Sequence, residues 1–161
     1  MTSSATTKVT LPSDNEILIT REFDAPRELV FKAMTDPKLI PQWWGPRDQT
    51  TTVDKMDVRP GGAWRYLMTA PDGTKSGFRG EYREIVAPER VVQTFEWEPM
   101  AGHISVDTAT LTERDGRTLL TIRSRFSSKE DRDGMVASGM EQGLRETHDR
   151  FAELLAELVK R

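Results

Sequence analysis

Along most of this chain, apolar residues recur at every second position. Residues 16–23 alternate, with Ile17, Ile19 and Phe23 on one face, the pattern of a half-buried strand. The same period governs residues 50–58, 63–69, 77–86, 91–98, 103–113 and 118–126. Turn sequences separate these runs: Arg59-Pro60-Gly61-Gly62, Pro71-Asp72-Gly73, Ala87-Pro88-Glu89-Arg90, a loop at 99–102, and Arg114-Asp115-Gly116-Arg117. Asp-Gly is a strong hairpin signal, because Gly supplies the positive φ of a tight turn.

The period changes in two places. After Asp24-Ala25-Pro26, the residues Leu29, Val30, Ala33 and Met34 share one face of a short helix, and proline is tolerated in its first turn. Asp36-Pro37 opens a second helical segment at residues 38–44, which Pro41 keeps to one or two turns. From Ser128 a capping signal, Ser followed three residues on by Asp131, opens a longer run. Its apolar positions, Val136, Met140, Leu144, Thr147, Phe151, Leu154 and Leu158, step by three or four. That spacing predicts one helix over residues 128–158, bulky at its C-terminal end and thin where Gly139 and Gly143 flank Met140. A Gly inside a helix costs about 1 kcal/mol against Ala, so the pair calls for close packing or for room beside the helix.

Six successive strands joined by short turns make an antiparallel meander, and such a sheet needs one face covered. Only the terminal helix is long enough, at about 1.5 Å per residue. The expected class is α+β: a curved antiparallel seven-stranded sheet wrapped around a long C-terminal helix, with two short helices after the first strand. Residues 1–13 are expected to be a flexible tail, and residues 14–161 one domain.

Composition narrows the function. The chain has 161 residues and a formal charge of -3, so neither nucleic acid nor an anionic membrane is expected as a partner, since both select a basic surface. It contains no cysteine, which removes disulfides, thiolate nucleophiles and cysteine metal sites. No segment approaches the length of a membrane span, and residues 1–7 lack an apolar signal core. A cytoplasmic location is expected.

Several motifs carry a family resemblance. They are Phe23-Asp24-Ala25-Pro26 with Val30-Phe31 and Ala33, Asp36-Pro37 with Trp43-Trp44-Gly45-Pro46, and Asp57-Val58-Arg59-Pro60-Gly61-Gly62-Ala63-Trp64. The run Gly80-Glu81-Tyr82-Arg83-Glu84-Ile85 with Pro88-Glu89-Arg90-Val91-Val92 and Phe95-Glu96-Trp97 is the most specific. Together with Gly139-Met140-Glu141-Gln142-Gly143, Phe151 and Leu154-Leu155, these resemble the START-like (SRPBCC, helix-grip) superfamily, order β-α-α-β6-α. Within it they resemble the free-standing bacterial branch related to the C-terminal domain of the activator of the heat-shock protein 90 ATPase. The resemblance covers residues 14–160 and implies a deep cavity between helix and sheet. In the wider superfamily that cavity receives lipids, polyketides or other apolar molecules. It also implies a chaperone partner as an alternative, together with a stress-response role. The eukaryotic co-chaperone engages its chaperone through a separate N-terminal domain, for which the residues before Glu16 are expected to be too few.

Candidate chemistry is sparse. His103 and His148 are the only histidines, and each is weighed as a proton-transfer group or polar anchor against an ordinary hydrogen-bonded side chain. No His-Glu-x-x-His, Gly-x-Ser-x-Gly or Gly-x-Gly-x-x-Gly pattern is present, so no metal and no cofactor is expected. Asp54, Asp57, Glu81, Glu84, Glu96, Glu98 and Asp107 are expected mostly to face solvent, as are Arg65, Arg79, Arg123 and Arg125. The expected cavity lining is Trp44, Trp64, Tyr66, Phe78, Phe95, His103, Met140, Gly143 and Leu144. The leading reading is a carrier or sensor for a small apolar molecule. The alternatives are an enzyme acting on such a molecule in the same cavity and a chaperone-associated interaction module. A homodimer is compatible with the sequence.

Overall fold

The computed structural model describes residues 6–160. The chain forms β1 (Lys8–Thr10), β2 (Glu16–Phe23), α1 (Arg27–Thr35), α2 (Ile40–Trp43), β3 (Thr50–Met56), β4 (Ala63–Thr69), β5 (Lys75–Val86), β6 (Arg90–Trp97), β7 (Ser105–Arg114), β8 (Arg117–Arg125), α3 (Lys129–Ala137) and α4 (Met140–Val159). The strands make one antiparallel sheet in the order β1-β2-β8-β7-β6-β5-β4-β3. This is the expected α+β meander, with two corrections.

Among the described residues the sheet has eight strands rather than seven. The eighth, β1, lies in the stretch expected to be a tail and pairs with β2, Val9 opposite Ile19. The terminal helix is also two helices rather than one. Ser128 caps α3 as expected, its hydroxyl accepting from the Asp131 amide at 3.1 Å. The chain then breaks at Gly139, whose φ of +81° is left-handed backbone that a helix interior cannot contain.

Alternation along each strand sorts the residues onto two faces. Ile17, Ile19, Phe23, Tyr66, Tyr82, Val91, Ala109, Leu111 and Leu120 are buried on the inner face. The outer face is laced with ion pairs, as expected for its arginines: Arg65 with Glu98 and Asp54, Arg79 with Glu96, and Arg123 and Arg125 with Glu16. Register shifts between Val53 and Lys55 and between Tyr82 and Glu84 mark bulges, which increase local twist and help the sheet to curl.

The C-terminal half of α4 anchors the helix layer. Phe151 stacks on Trp43 at 4.0 Å between ring centroids and meets Phe23 at 4.8 Å. Trp43 is fixed in turn, its indole N–H donating to the Ala33 carbonyl at 2.9 Å. Leu154 and Leu155 are buried beside them. Arg150 Nη1 donates to the Gly45 and Pro46 carbonyls, which ties α4 to the chain leaving α2. Among the described residues no helix is long and apolar enough to cross a membrane.

Candidate functional site

Two apolar clusters fill the inner face unequally. The larger holds Phe23, Val30, Ile40, Trp43, Trp64, Tyr66, Tyr82, Leu120, Phe151 and Leu155 among others, with Trp44, Phe78, Phe95 and Ile122 packed against it only partly buried. The smaller is Ile17, Ile19 and Phe126, flanked by Met135, Met140, Leu144 and the same Ile122. Of these half-buried side chains, Ile122 touches both clusters, whereas Trp44, Phe78 and Phe95 pack against the larger one. On α4 the same gradient runs along one helix. Met140, Gly143, Leu144 and Thr147 are half-buried, whereas His148, Phe151, Leu154 and Leu155 are buried.

The structure divides the nine expected lining residues. Trp44, Phe78 and Phe95 form a half-buried aromatic set, with Trp44 and Phe95 5.1 Å and 5.8 Å from Phe78 between ring centroids. Met140, Gly143 and Leu144 occupy the first turns of α4. Trp64 and Tyr66 differ from expectation: they are sealed in the larger cluster. Trp64 pairs with Gly80 across the sheet, where a Cβ would stand 2.5 Å from the indole nitrogen. Its N–H donates to the Thr94 carbonyl at 3.2 Å. A large ring beside a residue without a side chain sinks into the sheet surface. His103 also differs. Its side chain is 51% exposed and its Nδ1 lies 2.7 Å from Asp131 Oδ1 at the start of α3. This contact draws the Asp131 carboxyl below its ordinary range.

His148 is enclosed between α4 and the inner face of the sheet, beside Phe23 and Thr7. Thr7 Oγ1 lies 2.9 Å from its Nδ1, and the Phe23 ring meets it edge-on at 6.0 Å. Burial, together with the nearby Arg21 charge, pushes it down to about 3, against a smaller opposing pull from Asp149. Arg21 is itself buried, donating to Asp149 Oδ1 at 2.9 Å. A histidine held neutral and covered on all sides holds structure in place.

The sequence reading passed over the polar residues of the inner face. Ile17, Ser124, Asp107, Gln93 and Tyr82 are successive Cα partners across β2, β8, β7, β6 and β5. They form one row running directly across the sheet. Ser105 is the next inner residue on β7, and its hydroxyl donates to Asp107 Oδ1 at 3.4 Å. Burial pushes Asp107 up to about 6, against the Ser124 and Ser105 hydroxyls, and no cation contributes. Asp107 is surrounded by protein, yet part of its surface stays accessible. The Tyr66 hydroxyl donates to Met56 Sδ at 3.8 Å, and burial raises both tyrosines, Tyr82 to about 12. The signal for Asp107 was present in its parity, because Ser105, Asp107, Ala109 and Leu111 share one face of β7.

An open groove of about 390 Å³ lies elsewhere, between α1 and the end of α4, lined by Pro26, Leu29, Lys32, Leu158 and Val159 among others. Among the described residues no group of three or more His, Asp or Glu side chains is arranged to hold a metal ion.

The comparisons with known proteins agree with this architecture. A solution structure of an Arthrobacter aurescens protein is 30% identical, with a TM-score of 0.86, covering 93% of this chain and 91% of its own. A crystal structure from Rhodobacter sphaeroides is 25% identical, with a TM-score of 0.88, covering 94% and 99%. One of a Mycobacterium smegmatis protein is 29% identical, with a TM-score of 0.84, covering 93% and 96%. No curated protein sequence matches the chain. The family model described as Activator of Hsp90 ATPase homolog 1-like protein matches residues 24–156, and the chain belongs to that family.

Proposed function

We propose that this protein is an intracellular carrier or sensor that encloses a small apolar molecule between the inner face of the sheet and the first turns of α4. The observation that carries this reading is the half-buried aromatic set Trp44, Phe78 and Phe95, packed against the sealed larger cluster. Rings of this size bury large apolar area when covered, and Met140, Gly143 and Leu144 in the first turns of α4 are likewise half-buried. Ligand sites commonly combine such an apolar lining with a few placed polar groups. Here the polar groups are Asp107, Gln93 and Ser124.

The test is uptake of Nile red, an uncharged dye whose emission shifts in apolar surroundings. Wild-type protein takes up the dye saturably. Met140→Trp fills space at the thin end of α4 and weakens uptake about tenfold or more, by steric exclusion from a pocket of limited volume. Circular dichroism checks that the variant is folded. Unchanged uptake by a folded Met140→Trp removes the cavity from this position.

An enzymatic reading has one observation in its favour. Asp107, poised near neutrality inside the fold, is the group placed to act as a general base. Neither histidine fills that role, because His148 is sealed and His103 is on the surface.

A further inference from the structure

The polar row on the inner face has a chemistry of its own. Asp107 stands at its centre, between Ser124 on β8 and Gln93 on β6. The arginines of the neighbouring strand do not reach it. Arg123 and Arg125 alternate with Ile122 and Ser124, so they project from the outer face, where they pair with Glu16. On β6, Arg90 pairs with Glu84. A carboxylate enclosed by protein and supported only by hydroxyls lacks the countercharge that makes burial of an anion tolerable. Its diagonal neighbour on β6 is Phe95, whose partner on β7 is Ser105. Phe95 continues into Phe78 and then Trp44. A carboxylate beside aromatic rings is matched by a cation with an apolar body, because the ring faces attract positive charge.

We infer that the ligand is an amphiphilic amine, its ammonium group hydrogen-bonded to Asp107 and its apolar body laid over Phe95, Phe78 and Trp44. This rests on the proposed cavity between sheet and α4. The ammonium donates to Asp107 Oδ atoms, and the Gln93 amide oxygen offers a second acceptor in the same row. An apolar acid is disfavoured at this site, since its carboxylate meets Asp107, and the buried Arg21 farther along β2 is already paired with Asp149. Discrimination follows from one side chain: the charge of Asp107 selects the head group, and the rings accept the body.

Three ligands of nearly equal size and different charge test this: naphthylethylamine, naphthylethanol and naphthylacetate, titrated by calorimetry at pH 7.5. With wild-type protein the amine binds about tenfold or more tighter than the alcohol, as expected for a charge-assisted hydrogen bond, and the acid binds weakest. In Asp107→Asn the ratio of amine to alcohol affinity falls to about one, the Asn amide keeping the size of the side chain without its charge. The wild-type series stands by itself if that variant does not fold. Equal binding of amine and alcohol, tightest binding of the acid, or an amine preference that survives Asp107→Asn each overturns the inference and leaves the cavity in place. Nile red uptake without binding of any of the three also overturns it. Absence of both dye uptake and naphthyl binding overturns the cavity itself.

Discussion

His148 and Asp107 are both buried enough to shift their titration, in opposite senses. His148 is a base whose folded value, about 3, lies below its ordinary 6.5. Between those values the unfolded chain holds the extra proton, so this contribution is complete above pH 6.5 and declines as pH falls toward 3. Asp107 is an acid raised from 3.8 to about 6. Between those values the folded chain holds the extra proton, so this group adds stability as pH falls from 6 to 4. Each slope is at most about 1.4 kcal/mol per pH unit. The two therefore oppose each other between pH 4 and 6, within a background of acid destabilisation from lowered carboxyls such as Asp131 and Glu96. Urea unfolding across that range separates them. Relative to wild type, His148→Gln loses less stability on acidification, and Asp107→Asn loses more. A His148→Gln slope parallel to wild type would mean that His148 protonates freely inside the fold. Only part of this was legible beforehand. Parity placed Asp107 inside, but its charge grouped it with Glu96 and Glu98, which do pair on the outer face. His148 fell on the buried side of a helix by spacing, whereas its partner Thr7 lies 141 positions away.

At the scale of elements, the terminal run shows how periodicity can bridge a break. Val136 and Met140 are four apart, so the apolar pattern continues through Gly139 although the helix does not. The structure separates the two glycines that the sequence treated alike. Gly139 has a φ of +81° and nothing within 4 Å of where a Cβ would stand. Its need is backbone conformation, and Gly139→Ala is expected to cost about 1–2 kcal/mol, the penalty of a left-handed residue with a Cβ. Gly143 is ordinary helix, and its Cβ would meet only Pro46 Cγ at 3.8 Å, a normal contact. Gly143→Ala is expected to stabilise by roughly 1 kcal/mol through helix propensity. Urea midpoints of the two variants should move in opposite directions. A shift of the same sign for both would return the chain to a continuous helix. Strand β1 escaped notice for a different reason. It is three residues long with one apolar side chain, Val9, too short to show a period of two. Its place comes from pairing with β2 and from the Thr7 contact to His148, both of which are tertiary.

Across the whole molecule, the meander from β3 to β8 follows chain order, because short turns leave each strand beside its predecessor. The exception is β2, which pairs with β8 from the other end of the chain, and no local signal announces that contact. It closes the concave face over which α4 lies, and the unequal docking of α4 follows from what lies beneath each half. Its second half rests on rings locked by stacking and by the Trp43 hydrogen bond. Its first half begins after a break, carries Gly143, and keeps its own inward side chains, Met140, Leu144 and Thr147, half-buried. Local opening free energies track buried contact, so amide exchange should divide this helix. Amides of residues 141–147 are expected to exchange faster than those of residues 151–158, with the change near His148. Saturation with a ligand held between the sheet and the first turns of α4 should slow the first group and leave the second unchanged, because the ligand covers only the first. Hydrogen exchange read by mass spectrometry resolves the two groups as separate peptides. Equal protection along the helix would mean that α4 is docked evenly along its length, with no space reserved beneath its start.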